Sequence, residues 1–534
     1  LTISKIGGDD KTKGEITQEV VQRAMESYSK DIASIEKVKI EAGITIIGDF
    51  AFSYCESLSS ITIPEGVTSI GGGAFYGCSS LEKITVDRNN STYKDIDGVL
   101  FTQYEARLIC YPAGKVGSSY EIPEGVTSIG DFAFYGCSAL ESVTIPNSVT
   151  SIGSYAFYSC SALESVTIPN SVTSIGERAF YDCRSLTNMT IPEGVTSIGN
   201  WVFSYCSALT SVTIQSSVTS IGSYAFYECR SLTSIIIPEG VTSIGGYAFY
   251  NCSALTNMTI PESVTSIGGG AFSYCSALTN MTIPEGVTSI GDVVFYGCSS
   301  LERITVDIKN LEYKDINGVL FTKDGKQLIC YPAGKVGSSY EIPEGVTSIG
   351  SNTFRGCLAL TSVTIPNSVT SIGYSAFFWC RSLKSVIISN TVTSIGDDAF
   401  YNCALLNDVY FSGTEDEWSK ITIGTNNDPL TDATIHYPGK TLTVNKVWND
   451  GGNSGLRRDP TFVLYKLNSS GTYDEIDNGG GENDTKYVQC KHGNDYKKGD
   501  TWQYKFAVFN HIIGSTYAVG EKRMKGYTSD AYVD

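Results

Sequence analysis

The chain has 534 residues, 41% of them hydrophobic, with a formal charge of −18 at pH 7, a pI near 4.7 and a mean hydropathy of −0.03. Its length points to a repeat array or several domains, and its acidity argues against electrostatic capture of nucleic acid or anionic membranes. No run of about 18 apolar residues occurs, so no direct membrane insertion is expected.

The opening "LTISKIGGDD" (1–10) has neither the basic start nor the apolar core of a secretory signal. It begins at Leu1, so the natural start is expected upstream. "EITQEVVQRAMESY" (15–28) then carries apolar residues at helical spacing, which predicts a helix in an N-terminal cap over 1–39.

From residue 40 the sequence is periodic. Cys137, Cys160, Cys183, Cys206, Cys229, Cys252, Cys275 and Cys298 follow at intervals of 23 residues. Cys55 and Cys78 keep the interval in front, and Cys357, Cys380 and Cys403 keep it behind, giving thirteen units with two 59-residue gaps. In "LESVTIPNSVTSIGSYAFYSCSA" (140–162), Val143 and Ile145 alternate with Thr144 as in a half-buried strand that Pro146 stops. Val149 and Ile152 mark a second short extended stretch, and Gly153 is expected to make the corner. Phe134, Cys137 and Leu140 are three apart, the spacing of one face of a tight helical turn. A unit with one apolar edge cannot fold alone, whereas stacked units bury a continuous core, so the pattern predicts a β-rich solenoid of short strands and helical turns.

These units resemble the BspA-like leucine-rich repeats, whose formula is "L..I.IP..V..IG..AF..C..L", over roughly residues 40–437. The resemblance implies a leucine-rich-repeat solenoid over 40–408 with about thirteen coils. It also implies a non-enzymatic protein of the bacterial cell surface, extracellular, attaching to a host extracellular-matrix or cell-surface protein or glycan, or to other cells. A monomer is expected, with no cofactor.

The two gaps hold "DGVLFTQYEARLICYP" (97–112) and "NGVLFTKDGKQLICYP" (317–332), which predict β-hairpin inserts near 87–120 and 307–340. Residues 108–130 and 328–350 are identical, the mark of a duplicated block. "KDIDG" (94–98) and "KDING" (314–318) resemble calcium loops but lack the remaining ligands, and turn chemistry explains them better. The segment 409–440 loses the period and is expected to cap the array.

Beyond it, 441–534 reads as strands bounded by turns, from "KTLTVNKVWND" to "STYAVGEKRMKGYT". It resembles a truncated Cna B-type domain, an all-β, sandwich-like stalk module. That resemblance implies an isopeptide bond with Lys446 as amine donor and Glu521 as the promoting acid. The asparagine acceptor is expected on a strand after "GYTSD", so the bond is not expected to close in a chain ending at Asp534.

Three chemistries could explain the cysteines: disulfides, a soft-metal ladder, or a buried column of free thiols. Their common register inside an apolar core favours the free column, with Cys110 and Cys330 as the expected exceptions. The three histidines, His436, His492 and His511, have no recognisable nucleophile partner, and no catalytic or metal motif is found. The variable positions carry more information. Two residues before the core phenylalanine stand Phe132, Tyr155, Arg178, Trp201, Tyr224 and Tyr247; one residue after it stand Tyr135, Tyr158, Tyr181, Tyr227 and Tyr250. Stacking aligns these into a stripe, which is either a ligand-contact surface or an edge packed against itself. A spacer presenting another module is the alternative to a binding role.

Overall fold

The computed structural model describes side chains over 14–22, 31–104 and 106–438. At 2–3, 23–26, 439–447, 461–467, 473–475, 488–489, 497–498, 501–509 and 517–521 it describes backbone only.

The repeats stack as a coil of two short strands and a run of turns, and the chain forms a leucine-rich-repeat solenoid. Like strands lie on like strands in parallel and in register: Ser142, Val143 and Thr144 face Ser165, Val166 and Thr167, and Ser151 and Ile152 face Ser174 and Ile175. A repeat of constant length forces this register, because a one-residue slip would turn the inward valines and isoleucines outward. Val143, Ile145, Val149 and Ile152 are all buried, as their alternation predicts. The phenylalanines form a column of stacked rings, with Phe134, Phe157 and Phe180 at 4.7 and 5.1 Å between neighbouring centroids. The spacing of three is also observed: Cys137 N–H donates to Phe134 O and Leu140 N–H to Cys137 O, both at 3.2 Å.

About seventeen coils are present rather than thirteen. Each long gap is an enlarged coil, not an excursion from the stack. Strand Arg107–Cys110 pairs in parallel with Ser128–Ile129, and Tyr111 takes a phenylalanine's place. Its amide donates to Ala133 O at 2.7 Å, as Phe134 donates to Ala156 O, and its ring lies 5.2 Å from that of Phe134. The added length is the antiparallel hairpin Tyr93–Ile96 and Val99–Thr102. Strands Tyr313–Ile316, Val319–Thr322 and Gln327–Cys330, followed by Tyr331, repeat the arrangement. The hairpins dock through Ile84 N–H to Gly98 O (2.9 Å) and Val86 N–H to Asp95 Oδ1 (2.7 Å). Lys115 Nζ donates to Asp97 O and Oδ2 at 2.6 and 2.9 Å, so an ammonium group fills the "KDIDG" loop.

The hairpins also divide the core. Leu100 packs with the coils before it, while Val99 and Phe101 pack with those after it. Leu320 goes with the central coils, and Val319 and Phe321 with the last group. The helix Gln18–Glu26 lies at the start, where Ile16 and Val21 join the first core cluster. At the other end, strands Asp408–Phe411 and Thr434–His436 extend the ladder, and a short helix Glu415–Trp418 starts with a capping box on Thr414 and Glu417.

The corner is made differently from the sequence expectation. Gly153 has no left-handed φ; it is a glycine because a Cβ there would stand 2.6 Å from Asp131 N of the preceding coil. The left-handed residues come later, at Tyr155 (φ 58°) and Ser159 (φ 55°), and the same two places recur along the stack.

The cysteine column consists of free thiols. Every one after Cys55 also donates a hydrogen bond to a carbonyl of the preceding coil. Cys160 Sγ donates to Phe134 O of the preceding coil at 3.0 Å, Cys183 to Phe157 O at 3.1 Å and Cys229 to Phe203 O at 3.1 Å, a ladder repeated along the rod. Burial pushes the Cys183 and Cys229 thiols far above their ordinary range. Cys110 and Cys330, the expected exceptions, are free thiols too; they are only partly buried and stand outside that ladder.

After residue 437 the described backbone pairs into two antiparallel sheets. One joins Pro438–Val447 to Thr501–Phe509, the other Thr461–Leu467 to Tyr517–Glu521. Lys446 lies on the first sheet and Glu521 on the second; their side chains, like Cys490, His492 and His511, lie outside the described residues.

Candidate ligand-contact stripe

The eleven stripe residues all lie on one edge of the coils, half-buried, where the second strand gives way to the turns. They form two parallel ladders. The first holds Phe132, Tyr155, Arg178, Trp201, Tyr224 and Tyr247. All six adopt left-handed φ between 55° and 62°, a region that disfavours bulky side chains. Their packing is continuous. Phe132 stacks on Tyr155 at 4.8 Å, Trp201 on Tyr224 at 3.8 Å and 2°, and Tyr224 on Tyr247 at 5.1 Å. Arg178 bridges the remaining step, its guanidinium 5.4 Å from the Tyr155 ring and 5.2 Å from the Trp201 ring. It also donates to Tyr155 Oη at 2.6 Å and Glu177 Oε1 at 2.7 Å. Phe50 and Tyr247 end the ladder, their rings lying over Gly73 and Gly270, where a Cβ would meet ring carbons at 2.6 and 2.4 Å.

The second ladder runs through Tyr135, Tyr158 and Tyr181, with centroids at 5.0 and 4.6 Å, and through Tyr227 and Tyr250 at 4.6 Å. The gap between Tyr181 and Tyr227 is filled by Tyr205, which lies 5.2 Å from one ring and 5.4 Å from the other. Sequence reading missed this rung, together with Tyr54, Tyr76 and Tyr274. The signal was legible: coils with serine after the core phenylalanine read "FSYC", and the tyrosine moves one place on, as at Ser53–Tyr54, Ser204–Tyr205 and Ser273–Tyr274. The displaced serine turns inward, Ser204 Oγ donating to Tyr224 O. With these rungs the ladder runs from Tyr54 to Tyr296 without a break. Arg355 then continues it, stacked 4.5 Å from the Tyr296 ring and 4.2 Å from the Phe378 ring, and Tyr401 follows.

Electrostatically the stripe is mild. Between residues 121 and 300 there are thirteen acidic and three basic residues. All three arginines pair with acids of their own coil: Arg178 with Glu177, Arg184 with Asp182 and Arg230 with Glu228. Burial pushes up the Tyr158, Tyr181, Tyr227 and Tyr250 phenols, so the edge presents neutral hydroxyls at ordinary pH. At the terminal cap His436 Nε2 lies 2.8 Å from Asp408 Oδ1 and its ring stacks on Tyr410, a structural placement. Exposed threonines of successive coils bond within the stack, Thr150 Oγ1 donating to Thr127 O and Thr173 Oγ1 to Thr150 O.

The family model described as BspA type leucine rich repeat region matches residues 24–107, 116–230, 199–323 and 335–436. No match is found among curated proteins. Among solved structures, the chain is similar to a leucine-rich repeat protein from Bacteroides ovatus ATCC 8483, at 25% identity over 74% of this chain and 88% of that one, with a TM-score of 0.44. It is similar to a leucine-rich repeat protein from Eubacterium ventriosum ATCC 27560, at 25% identity over 53% and 75%, TM-score 0.41. A leucine rich cell surface protein from Faecalibacterium prausnitzii A2-165 matches at 26% identity over 79% and 93%, TM-score 0.28.

Proposed function

The chain belongs to the BspA-type leucine-rich repeat family, and from that premise we propose that it is a non-enzymatic adhesive protein displayed on a bacterial cell surface. Its partner is a protein or glycan of the host matrix or of another cell. The observation that carries this reading is the two-ladder aromatic edge. Half-buried tyrosine, tryptophan and arginine are the residue types that dominate binding hot spots, and here they are held rigid by stacking, which lowers the ordering cost of binding. The left-handed backbone under Tyr155, Trp201 and Tyr224 supports a selected role, since bulky residues there store strain that glycine or asparagine would relieve. In this proposal residues 441–534 serve as a Cna B-type stalk, with Lys446 and Glu521 in their isopeptide roles.

The test is attachment. The triple variant Tyr155→Ser, Trp201→Ser, Tyr224→Ser is expected to abolish adherence to matrix-coated surfaces while keeping the coil's circular dichroism. Unchanged adherence would overturn the reading. A second reading, a rigid spacer that presents another module, draws support from the same rings, because they satisfy one another in stacks along the rod. It predicts unchanged adherence with a lowered melting temperature.

A further inference from the structure

The N-terminal enlarged coil leaves a hole in the edge. A normal coil has four residues between its second strand and its core aromatic, for example Gly130 to Ala133 between Ile129 and Phe134. Leu108 pairs with Ile129, so this coil has only Ile109 and Cys110 before Tyr111. The stripe rung is therefore missing. The neighbouring coils enclose a cavity of about 240 Å³ where it would have been, lined by Gly71–Gly73, Phe75, Tyr76, Arg107, Asp131, Phe132 and Tyr135 among others.

The deletion has a second consequence. Gly73 and Phe75 occupy the places that Phe132 and Phe134 hold two coils later, beyond the enlarged one, and those amides donate to Ser154 O (3.0 Å) and Ala156 O (2.7 Å) of the following coil. Among the described residues no carbonyl receives the amide of Gly73 or of Phe75, although both residues are buried and line the cavity. Unpaired buried amides are rare and mark places where water or a ligand completes the bonding.

We infer that this cavity is a binding site for one sugar ring. Three features point to that chemistry. The Gly73 and Phe75 amides and Arg107 offer donors to hydroxyl or carbonyl oxygens. Asp131 Oδ1 already accepts from the Ser154 amide at 2.7 Å, and its Oδ2, loosely paired with Arg107 at 3.5 Å, is left to accept from hydroxyls. Phe132, Tyr76 and Tyr135, whose faces already pack on one another and on Tyr155 and Tyr158, offer ring edges to the C–H groups of a pyranose. The volume lies below the roughly 300–1,000 Å³ of drug-sized sites, which favours a single ring over a chain.

The molecule contains its own control. The second enlarged coil carries the same shortening at Ile329 and Cys330, and among the described residues no carbonyl receives the Val293 or Phe295 amide either, so the amides alone do not set the first gap apart; its neighbours do. Asp292 and Val293 stand at the places of Gly72 and Gly73, Gln327 at that of Arg107, Asn352 at that of Phe132, and Arg355 at that of Tyr135. Arg355 lies across the gap between the Tyr296 and Phe378 rings. The second gap thus lacks the glycine floor, the arginine and the aromatic wall.

This site lies at one end of the stripe and does not depend on the stripe binding anything. The experiment is saturation-transfer NMR on the whole chain with free glucose, galactose, mannose, N-acetylglucosamine and N-acetylneuraminic acid. At least one sugar is expected to receive saturation. Arg107→Gln and Phe132→Asn, which install the residues of the second gap, should each weaken it up to about tenfold, the first by losing a charge-assisted hydrogen bond and the second by losing an aromatic contact. Gln327→Ala, in the second gap, should leave it unchanged. Independently of any variant, the bound sugar should slow amide exchange at 70–77 and not at 290–297. No transfer from any of these sugars, transfer in Arg107→Gln and Phe132→Asn equal to that of the parent, loss in Gln327→Ala, or no protection at 70–77 each overturns the assignment.

Discussion

Tyr76 and Tyr135 are 59 residues apart in sequence, yet their ring centroids meet at 4.0 Å and their hydroxyls share a hydrogen bond of 2.7 Å. The enlarged coil between them gives Tyr111 to the core but nothing to the outer edge, so the two tyrosines splice the ladder across it. Tyr135→Phe keeps the ring and removes the hydroxyl pair; a loss of about 1 kcal/mol is expected. Tyr135→Ala also removes the stacks on Tyr76 and Tyr158 and should cost about 2–4 kcal/mol. Urea denaturation of the two variants separates the terms. Equal losses would mean that the hydroxyls, not the rings, hold the splice.

Alkaline pH should unfold the rod. Burial pushes Tyr111, Cys110 and Cys330 up to about 12, and raises Tyr135, Tyr181 and Tyr227 as well. In the unfolded chain thiols ionise near 8.5 and phenols near 10. The folded pKa values are the higher ones, so the unfolded state loses its protons first. Stability from these groups is complete below about pH 8.5 and declines as pH rises toward 12. The melting temperature should be level from pH 7 to about 8.5 and fall beyond it. Tyrosinate absorbance should appear together with unfolding. Tyrosinate rising well before the circular dichroism changes would contradict this.

The thiol ladder makes the cysteines hard to replace. Cys229 Sγ reaches Phe203 O at 3.1 Å in a fully buried site. Cys229→Ala removes both the sulfur's packing and its bond, an expected loss of about 1–3 kcal/mol. Cys229→Ser offers a stronger donor on a shorter bond in an apolar site, and its desolvation cost should leave it no better than alanine. Guanidinium melts compare the two. A serine variant as stable as the parent would show that a small donor is all the column requires.

The repeat made most of this legible. Period, strand faces and core column are all consequences of a 23-residue unit that must bury the same edge each time, so Val143, Phe134 and Cys137 could be placed from spacing alone. Two things could not. Whether Gly153 serves φ or close approach depends on the neighbouring coil's backbone, which spacing does not describe. The enlarged coils hid because Tyr111 and Pro112 replace the phenylalanine and aromatic of the formula, and the cysteine's place 23 residues before Cys137 is Gly114. The stripe was found where variation is periodic, and Tyr205 was missed because its rung shifts by one residue.

The hairpins should be the points at which the rod comes apart. Asn310 is fully buried beside the second hairpin. Its Nδ2 donates to Pro284 O and Val287 O at 2.8 and 2.9 Å, and its Oδ1 accepts from Glu312 and Tyr313 amides at 2.9 and 2.8 Å. Asn310→Ala would orphan all four groups, at about 2–4 kcal/mol or more. The core changes partners at Val319, Leu320 and Phe321, so this loss should stay regional in a quasi-one-dimensional stack. Hydrogen exchange should accelerate around 284–322 with little change near 140–240. Uniform acceleration along the chain would show that the solenoid unfolds as one unit.

The left-handed positions provide the sharpest comparison, because the same backbone place carries different side chains. Val293 sits there with φ 52°, a poor fit for a β-branched residue, and no aromatic stack is formed through it. Val293→Asn should relieve the strain and stabilise the chain by about 1 kcal/mol. Trp201 has φ 62° and the same relief available, but Trp201→Asn would forfeit the 3.8 Å stack on Tyr224 and the Arg178 contact at 5.2 Å. Those contacts are together worth about 1–3 kcal/mol before burial is counted, so a net loss is expected. Denaturant melts of the two variants should therefore shift in opposite directions. A gain for both would mean that the stack does not offset the strain beneath it, and that the aromatic edge is kept for something other than stability.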